Sequence, residues 1–175
     1  MSKNNVKPFE LLAEYERLSL KHKVEAQTEK VSNQWSGVGF KVGEIYYVIA
    51  IEKIIEVLIL SETTKIPGIS KWVLGLGNIR GNLLPIVDFK SYLFNQPIKI
   101  TAHTRMVVIQ QIAGQVGLVV DEVFGQKHFV QEQKSKKENE LKYSDLAFED
   151  KGVLWHVLQD DKLINDPSFQ NAAAV

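Results

Sequence analysis

The sequence predicts a mainly β fold of the barrel or sandwich class. Between residues 35 and 159, short apolar runs rich in β-branched residues alternate with turns that contain glycine or charged residues. These runs amount to about nine or ten strands, and the segments between them do not have the pattern of regular crossover helices. Because a doubly wound parallel sheet requires such helices, the sequence excludes that class.

The first predicted element is a helix over residues 8–23, "PFELLAEYERLSLKHK". Leu11, Tyr15 and Leu18 follow helical spacing, and Pro8 suits the first helical position. Acidic residues lie early in this segment and basic residues lie late, in agreement with the helix dipole. The helix either packs on its own domain or is offered to a partner. The polar stretch "VEAQTEKVSNQ" that follows is typical of a linker.

Two strands are predicted after the linker. "WSGVGFKV" alternates with the period of a strand, and Gly43 permits a tight turn into the apolar run "EIYYVIAI". The next stretch, "EKIIEVLIL", combines helical spacing with β-branched residues. We expect it to form a short turn of helix followed by a strand.

Further runs complete the predicted β structure. They are "KWVLGLGNI", "LLPIVDF", "RMVVIQQ", "QVGLVVDEV", "GQKHFVQEQ" and "GVLWHVLQ". Ala113-Gly114 is typical of a hairpin turn between the third and fourth of these runs. The stretch "QEQKSKKENELKYSD" is predicted to be a charged surface loop, and "DDKLINDPSFQNAAAV" is predicted to hold a short helix before a frayed tail.

The composition excludes several classes of function. Apolar residues make up 45% of the 175 residues, and the 21 basic residues equal the 21 acidic ones, which argues against a dedicated nucleic-acid binder. The absence of cysteine excludes disulfides, cysteine nucleophiles and thiolate zinc sites. No signal peptide or membrane-spanning apolar run is recognisable, so we expect a cytoplasmic location.

The glycine-rich stretch "LGLGNIRGNLLPIVDF", residues 74–89, does not fit a nucleotide site. Its last glycine lies one residue too far along for a dinucleotide fingerprint, and a strand-like run follows where a helix would have to begin. The stretch from Asn78 to Asn82 is instead predicted to form a turn between two strands, with Arg80 at its tip.

No catalytic or metal-binding set is recognisable in the sequence. The four histidines do not pair at the spacing of metal ligands, and the nucleophile elbow of serine hydrolases is absent. The adjacent carboxylates at Asp121-Glu122 and Asp160-Asp161 would point to opposite faces of a strand, so we expect them to be solvated. The sequence therefore predicts an interaction protein that is not an enzyme and needs no metal or cofactor.

The stretch "VLGLGNIRGNLLPIVDF" resembles a motif of the CheW family of bacterial chemotaxis coupling proteins. That motif is an apolar strand, a G-x-x-N-[LI]-R-G turn and the run P-[IV]-[IV]-D-[LF]. Upstream, "YYVIAIEKIIEVL" is similar to a family segment that ends in x-E-[IV]; downstream, "VVIQQIAGQVGLVVDEVFGQ" is similar to its hairpin. The resemblance covers about residues 36 to 165. Gly77 departs from it, because the family usually has a larger or β-branched residue there.

The N-terminal segment narrows the resemblance. "PFELLAEYERL" followed by "WSGVGF" resembles the PilI-like members of the family, which serve type IV pilus (twitching) chemosensory systems. The family resemblance implies two intertwined five-stranded SH3-like β-barrel subdomains around a shared apolar core, with an N-terminal helix and a short C-terminal helix. It implies an N-terminal extension and linker at 1–34, a CheW-like domain at 35–165 and a C-terminal tail at 166–175.

The resemblance also implies a function and partners. The chain would be a non-catalytic adaptor that couples the cytoplasmic tip of a methyl-accepting chemoreceptor to a CheA-type histidine kinase, beside membrane receptor arrays. The implied receptor-binding residues are Ile54, Glu56, Gly75, Asn78, Arg80 and Gly81. Arg80 would be the polar anchor, while Ile54 would supply apolar contact and Glu56 would hold a polar partner. The kinase would dock through its own CheW-like regulatory domain on the other barrel, at residues that the sequence does not assign.

Two alternative hypotheses remain. In the first, the chain is the CheW-like regulatory fragment of a kinase, although no histidine-phosphotransfer or ATP-binding segment is present in it. In a different class, it is a small-ligand-binding β-barrel protein or an unrecognised enzyme. A thermal-shift comparison separates that last class from an adaptor, which should be stabilised by kinase or receptor fragments and by no metabolite.

Overall fold

The computed structural model describes residues 34–111, 114–135 and 141–172. Both sheets lie in a compact unit that begins at Trp35. The helix predicted over residues 8–23 and the linker after it lie outside the described residues.

The described part of the chain is built mainly from short strands. Its ten strands are β1 (Gln34–Val42), β2 (Ile45–Ala50), β3 (Ile54–Leu58), β4 (Val73–Ile79), β5 (Asn82–Asp88), β6 (Arg105–Gln111), β7 (Gly114–Val120), β8 (Glu122–Val130), β9 (Ala147–Asp150) and β10 (Val153–Val157). Its α-helices are α1 (Phe89–Phe94), α2 (Asp160–Ile164) and α3 (Pro167–Gln170), and single 3₁₀ turns lie at Ile51–Lys53 and Gln131–Gln133.

The strands form two five-stranded sheets. The first has the order β8-β1-β2-β10-β9, and the second has the order β3-β6-β7-β5-β4. The chain starts in the first sheet, builds all of the second, and returns to the first for its last three strands. The parallel pairs β2–β10 and β5–β7 join segments that are distant in the sequence. The predicted mainly β fold with two intertwined five-stranded subdomains is confirmed.

Three clusters of buried side chains explain the apolar runs. Tyr47 and Ile49 of β2 lie in a core that the two sheets share, whereas Val48 between them points into the interior of the first subdomain. In the same way, Val107 lies in the shared core and Val108 in the interior of the second subdomain. Successive side chains of a strand point to opposite faces, so a strand buried on both faces is apolar at every position.

Several observed elements agree with those predicted from the sequence, and a few do not. The stretch "EKIIEVLIL" forms the expected short helical turn at Ile51–Lys53, and β3 follows it. The helix α1 and the strand β9 were not predicted, and the C-terminal stretch holds two short helices where one was expected. The run "QVGLVVDEV" does not form one strand, because it is interrupted at Asp121, between β7 and β8. The Asp121 N–H bonds the Lys41 carbonyl at 3.0 Å, and its side chain accepts from the Gly43 N–H at 2.6 Å.

A polar network fixes the C-terminal helix α3. Asp166 caps this helix by accepting from the Ser168 N–H at 2.7 Å, and it also accepts from the Tyr143 hydroxyl at 2.8 Å. The Lys142 ammonium lies 2.7 Å from the same carboxylate, and these hydrogen bonds hold the pKa of Asp166 well below its usual range. The network fixes the helix in a position where Phe169 is buried in the shared core.

Candidate partner-binding site

The predicted turn in the glycine-rich stretch is a two-residue hairpin between β4 and β5. Ile79 pairs with Asn82, which leaves Arg80 and Gly81 as the two residues of the turn. Their φ angles are 51° and 87°, so both are left-handed. Positive φ at both central positions is the property of a type I′ turn, which matches the twist of the two strands that it joins.

Arg80 is an uncommon residue for its position in this turn. The left-handed conformation disfavours side chains with a Cβ by about 1 kcal/mol, and glycine and asparagine usually occupy it. Asn78 compensates by accepting the Gly81 N–H on its side-chain oxygen at 2.9 Å. A strained residue with an exposed charge, on a turn that needs no charge, points to a role in function.

The guanidinium of Arg80 is held by a carboxylate from the opposite edge of the sheet. Its Nη2 lies 2.9 Å from Oε2 of Glu56, and the two side chains are 78% and 18% exposed, respectively. Glu56 lies on β3, opposite the buried Val108. Because β3 and β4 are the edge strands of the second sheet, this ion pair connects its two edges. Because the guanidinium is largely exposed to solvent, the pair contributes only about 0–1 kcal/mol to stability, and its main effect is to orient the guanidinium.

Gly75 lies on β4, five residues before Arg80. It is buried, its φ is 141°, and the register of β4 against β5 shifts just before it. A Cβ at this position would lie 2.3 Å from the carbonyl oxygen of Thr64. Gly77, the departure from the family pattern, is also buried, and a Cβ there would lie 3.1 Å from the Ile86 side chain. Both glycines therefore serve close packing.

Ile54 and its neighbours give β3 two different faces. Ile54 is half-buried against the shared core and lies opposite Ile109, and the register shifts between it and Glu56. The next apolar residues point outward, with Ile55, Val57 and Ile59 being 43%, 38% and 74% exposed. Ile55 and Val57 lie on this edge strand and Ile59 lies just after it, and exposed β-branched residues at such an edge are typical of a surface that a partner covers.

Leu83 is another exposed apolar residue, and it lies next to the turn. It is 67% exposed on β5, three residues after Arg80, and it pairs with Asn78. Sequence reasoning did not select Leu83, Ile55, Val57 or Ile59. For Ile55 and Val57 the available signal is a run that is apolar at every position except Glu56, in a strand that proves to lie at an edge.

The six predicted site residues thus occupy three positions. Asn78, Arg80 and Gly81 form the turn, and Glu56 reaches it from β3. Gly75 lies inside the sheet, and Ile54 packs toward the shared core. The structure therefore brings four of the six together in an exposed surface of mixed polar and apolar character.

Other features of the described residues do not suggest catalysis. A cavity of about 610 Å³ lies beside α3, and its lining residues, among them Trp72, Pro85 and Phe169, include no titratable side chain. Burial raises the pKa of Tyr143 well above its usual range, and perturbed groups can mark active sites. Here Tyr143 donates to Asp166, so both perturbed groups belong to the structural network that holds α3.

The described ranges contain neither a metal-binding cluster nor a membrane-spanning helix. Within residues 34–111, 114–135 and 141–172, no group of three or more histidine, cysteine, aspartate or glutamate side chains is placed to hold a metal ion. No helix in that part of the chain has the length and apolar character needed to cross a membrane.

Sequence comparison places the chain among known proteins. A family model described as the CheW-like domain matches residues 36–168. The chain is 37% identical over 124 residues to Protein PilI of Pseudomonas aeruginosa, a match that covers 70% of this chain and 69% of that protein. It is 29% identical over 83 residues to Chemotaxis protein CheW of Bacillus subtilis, which covers 47% of this chain and 53% of that protein. The match thus spans about half the length of the second relative.

A solved structure has the same fold. The crystal structure of the scaffolding protein TtCheW from Thermoanaerobacter tengcongensis superimposes with a TM-score of 0.63 at 19% identity, covering 71% of this chain and 88% of that one. At this identity the likeness shows the fold alone. The family model extends over the range in which the sequence motifs were found, and it confirms the predicted resemblance. The chain belongs to the CheW-like family.

Proposed function

We propose that the chain is a non-catalytic adaptor that couples a methyl-accepting chemoreceptor to a CheA-type histidine kinase. Membership of the CheW-like family supports this role, as do relatives named as chemotaxis proteins. The similarity to PilI, together with the N-terminal resemblance, supports a system that controls type IV pilus twitching motility. The chain would act in the cytoplasm, beside membrane receptor arrays.

The receptor-binding surface of this proposal is the Arg80 turn with its surroundings. The observation that carries it is an arginine in a left-handed turn position with a guanidinium that is 78% exposed. A guanidinium can bind a carboxylate or two carbonyl oxygens in a bidentate manner, and arginine is common among the residues that dominate interfaces. Leu83, which is 67% exposed beside the turn, would supply apolar contact next to it.

Glu56 would lower the entropic cost of binding. A free arginine side chain loses up to about 2 kcal/mol of rotamer entropy when it is fixed. The Glu56 carboxylate already holds Arg80 Nη2 at 2.9 Å, so part of that loss has occurred before the receptor arrives. Glu56 contacts one terminal nitrogen, which leaves other N–H groups of the guanidinium for a receptor oxygen.

The other site residues of the proposal act through the backbone or the core. Asn78 and Gly81 maintain the turn, Gly75 permits the packing beneath it, and Ile54 holds β3 on the shared core. The kinase would bind through its own CheW-like regulatory domain on the first subdomain, which leaves the Arg80 surface of the second subdomain for the receptor.

Separate binding measurements test the proposal. The purified chain is titrated calorimetrically with a receptor cytoplasmic-tip fragment and, separately, with the regulatory domain of the kinase. We expect saturable binding of each, and binding of either in the presence of saturating amounts of the other. If the two fragments compete for the chain, it cannot bridge them and the adaptor role is wrong.

A further inference from the structure

The segment that joins β3 to β4 is fastened across the outer edge of β4. We call residues 59–65 the β3–β4 strap. The Thr64 N–H bonds the Leu76 carbonyl at 2.8 Å, and the Leu76 N–H bonds the Thr64 carbonyl at 2.9 Å. On its other side Leu76 lies opposite Pro85, whose nitrogen carries no hydrogen, so both backbone groups of Leu76 are directed to the strap. The strap therefore covers the edge of the sheet at this point.

Only glycine at position 75 allows the strap to lie so close. A Cβ there would be 2.3 Å from the Thr64 carbonyl oxygen and 2.8 Å from its carbonyl carbon, well inside any acceptable contact. Because both atoms belong to the backbone, no change of rotamer relieves the clash, and the strap itself would have to move away. Gly75 is also buried, so a partner bound to the outer surface does not touch it.

The strap lies between the two groups of the proposed binding surface. It continues directly from β3, which carries Glu56, and it fastens to β4, which leads into the Arg80 turn. Leu58 and Leu60, on either side of its start, pack against the interior of the second subdomain together with Leu74 of β4. The strap thus helps to keep β3 and β4 at the separation at which Glu56 and Arg80 meet.

We propose that Gly75 is a positioning residue that contributes to partner binding by allowing the β3–β4 strap to close, and that it makes no contact with the partner. This inference rests on the proposed receptor-binding function. The two residues would therefore have different roles. Arg80 contacts the receptor, whereas Gly75 fixes the position of β3, whose Glu56 orients Arg80.

The test compares three variants. Gly75→Ala introduces the clash, and Thr64→Pro keeps Gly75 but removes the N–H that bonds Leu76. The matched control is Gly114→Ala, because Gly114 has a φ of 138° against 141° for Gly75, but a Cβ there meets nothing within 4 Å. The control therefore places alanine at nearly the same positive φ as Gly75→Ala, without the clash. For each variant we measure hydrogen exchange at the Leu76 amide, receptor-fragment affinity and kinase-domain affinity.

We expect Gly75→Ala and Thr64→Pro to accelerate exchange at Leu76 about tenfold or more, since both detach the strap. Both should weaken receptor-fragment binding by a similar factor and leave kinase-domain binding unchanged, which a general loss of structure would not do. Gly114→Ala should alter neither the exchange nor the two affinities. If Gly75→Ala does not fold, Thr64→Pro gives the same comparison with the glycine in place.

Two results would overturn the inference. If Gly75→Ala loses receptor binding while the Leu76 amide stays as protected as in the wild type, the partner touches Gly75 directly. If Leu76 exchange accelerates and receptor binding is undiminished, the strap does not position the surface. A wild-type chain that fails to bind the receptor fragment would contradict the proposed function instead, and Leu76 exchange would still decide whether Gly75 is needed to close the strap.

Discussion

Replacement of Arg80 by alanine should weaken binding of the receptor fragment about thirtyfold, which corresponds to about 2 kcal/mol, while the free energy of unfolding changes by less than about 0.5 kcal/mol. The affinity falls because the guanidinium would lie at the centre of the interface. Stability is nearly constant because the arginine is 78% exposed, so solvent screens its pair with the mostly buried Glu56. Alanine and arginine also share the same strain at a φ of 51°.

A second substitution separates binding from folding more sharply. Arg80→Asn also removes the guanidinium, but asparagine tolerates the left-handed conformation. This variant should therefore lose receptor affinity as Arg80→Ala does, while its unfolding midpoint in urea rises slightly above that of Arg80→Ala. Urea unfolding and fluorescence titration of the receptor fragment measure the two quantities. If either variant lost several kcal/mol of stability and kept its affinity per folded molecule, Arg80 would hold the fold and not the receptor.

Replacement of Asp88 by alanine should lower the free energy of unfolding by about 2–4 kcal/mol. The Asp88 side chain is buried, and each of its oxygens accepts a different backbone N–H. One oxygen caps α1 by accepting from Ser91 at 2.9 Å, and the other accepts from Ile98 at 2.8 Å. Alanine would leave both donors without that acceptor at the point where β5 turns into the helix. Urea unfolding monitored by tryptophan fluorescence measures the effect.

The control for this prediction is Asp88→Asn. Its side chain keeps one oxygen but presents an NH₂ group to the other N–H, so it should recover only part of the loss. Receptor affinity per folded molecule should be unchanged in both variants, because Asp88 lies inside the structure. An Asp88→Ala variant of wild-type stability would contradict this account of the "PIVDF" part of the motif. The residues of the motif could then not be divided into those that stabilise the fold and those that are exposed for binding.

The strands were predictable because their patterns are local. The run "RMVVIQQ" becomes β6 without a change of boundary, since it is buried on both faces and apolar at successive positions. The helix α1 and the strand β9 are six and four residues long, too short for any periodicity to appear. β9 exists because it pairs with β10, and α1 because the Asp88 carboxylate caps it. The arrangement into two five-stranded sheets came from the family resemblance, since strand patterns alone do not specify which strands pair.

The candidate site was predictable to a similar extent. The stretch "NIRGN" between two apolar runs predicts a turn with Arg80 exposed, and the structure places it so. The contact of Glu56 with Arg80 depends on how the two edges of a sheet approach each other, which no local pattern encodes. The requirement for glycine at position 75 was not predictable from neighbouring residues either, because the atom that excludes a side chain there belongs to Thr64. The family resemblance selected these residues, and the structure suggests how each one would act in the proposed site.

A three-component retention assay tests the central proposal most directly. The receptor cytoplasmic-tip fragment is immobilised, and retention of the kinase regulatory domain is measured without the chain, with the wild-type chain and with Arg80→Ala. The account predicts that the kinase domain is retained only with the wild-type chain, while Arg80→Ala still binds the kinase domain in solution. Retention that does not depend on the chain, or that is undiminished by Arg80→Ala, would contradict a receptor-to-kinase coupling that acts through the Arg80 turn.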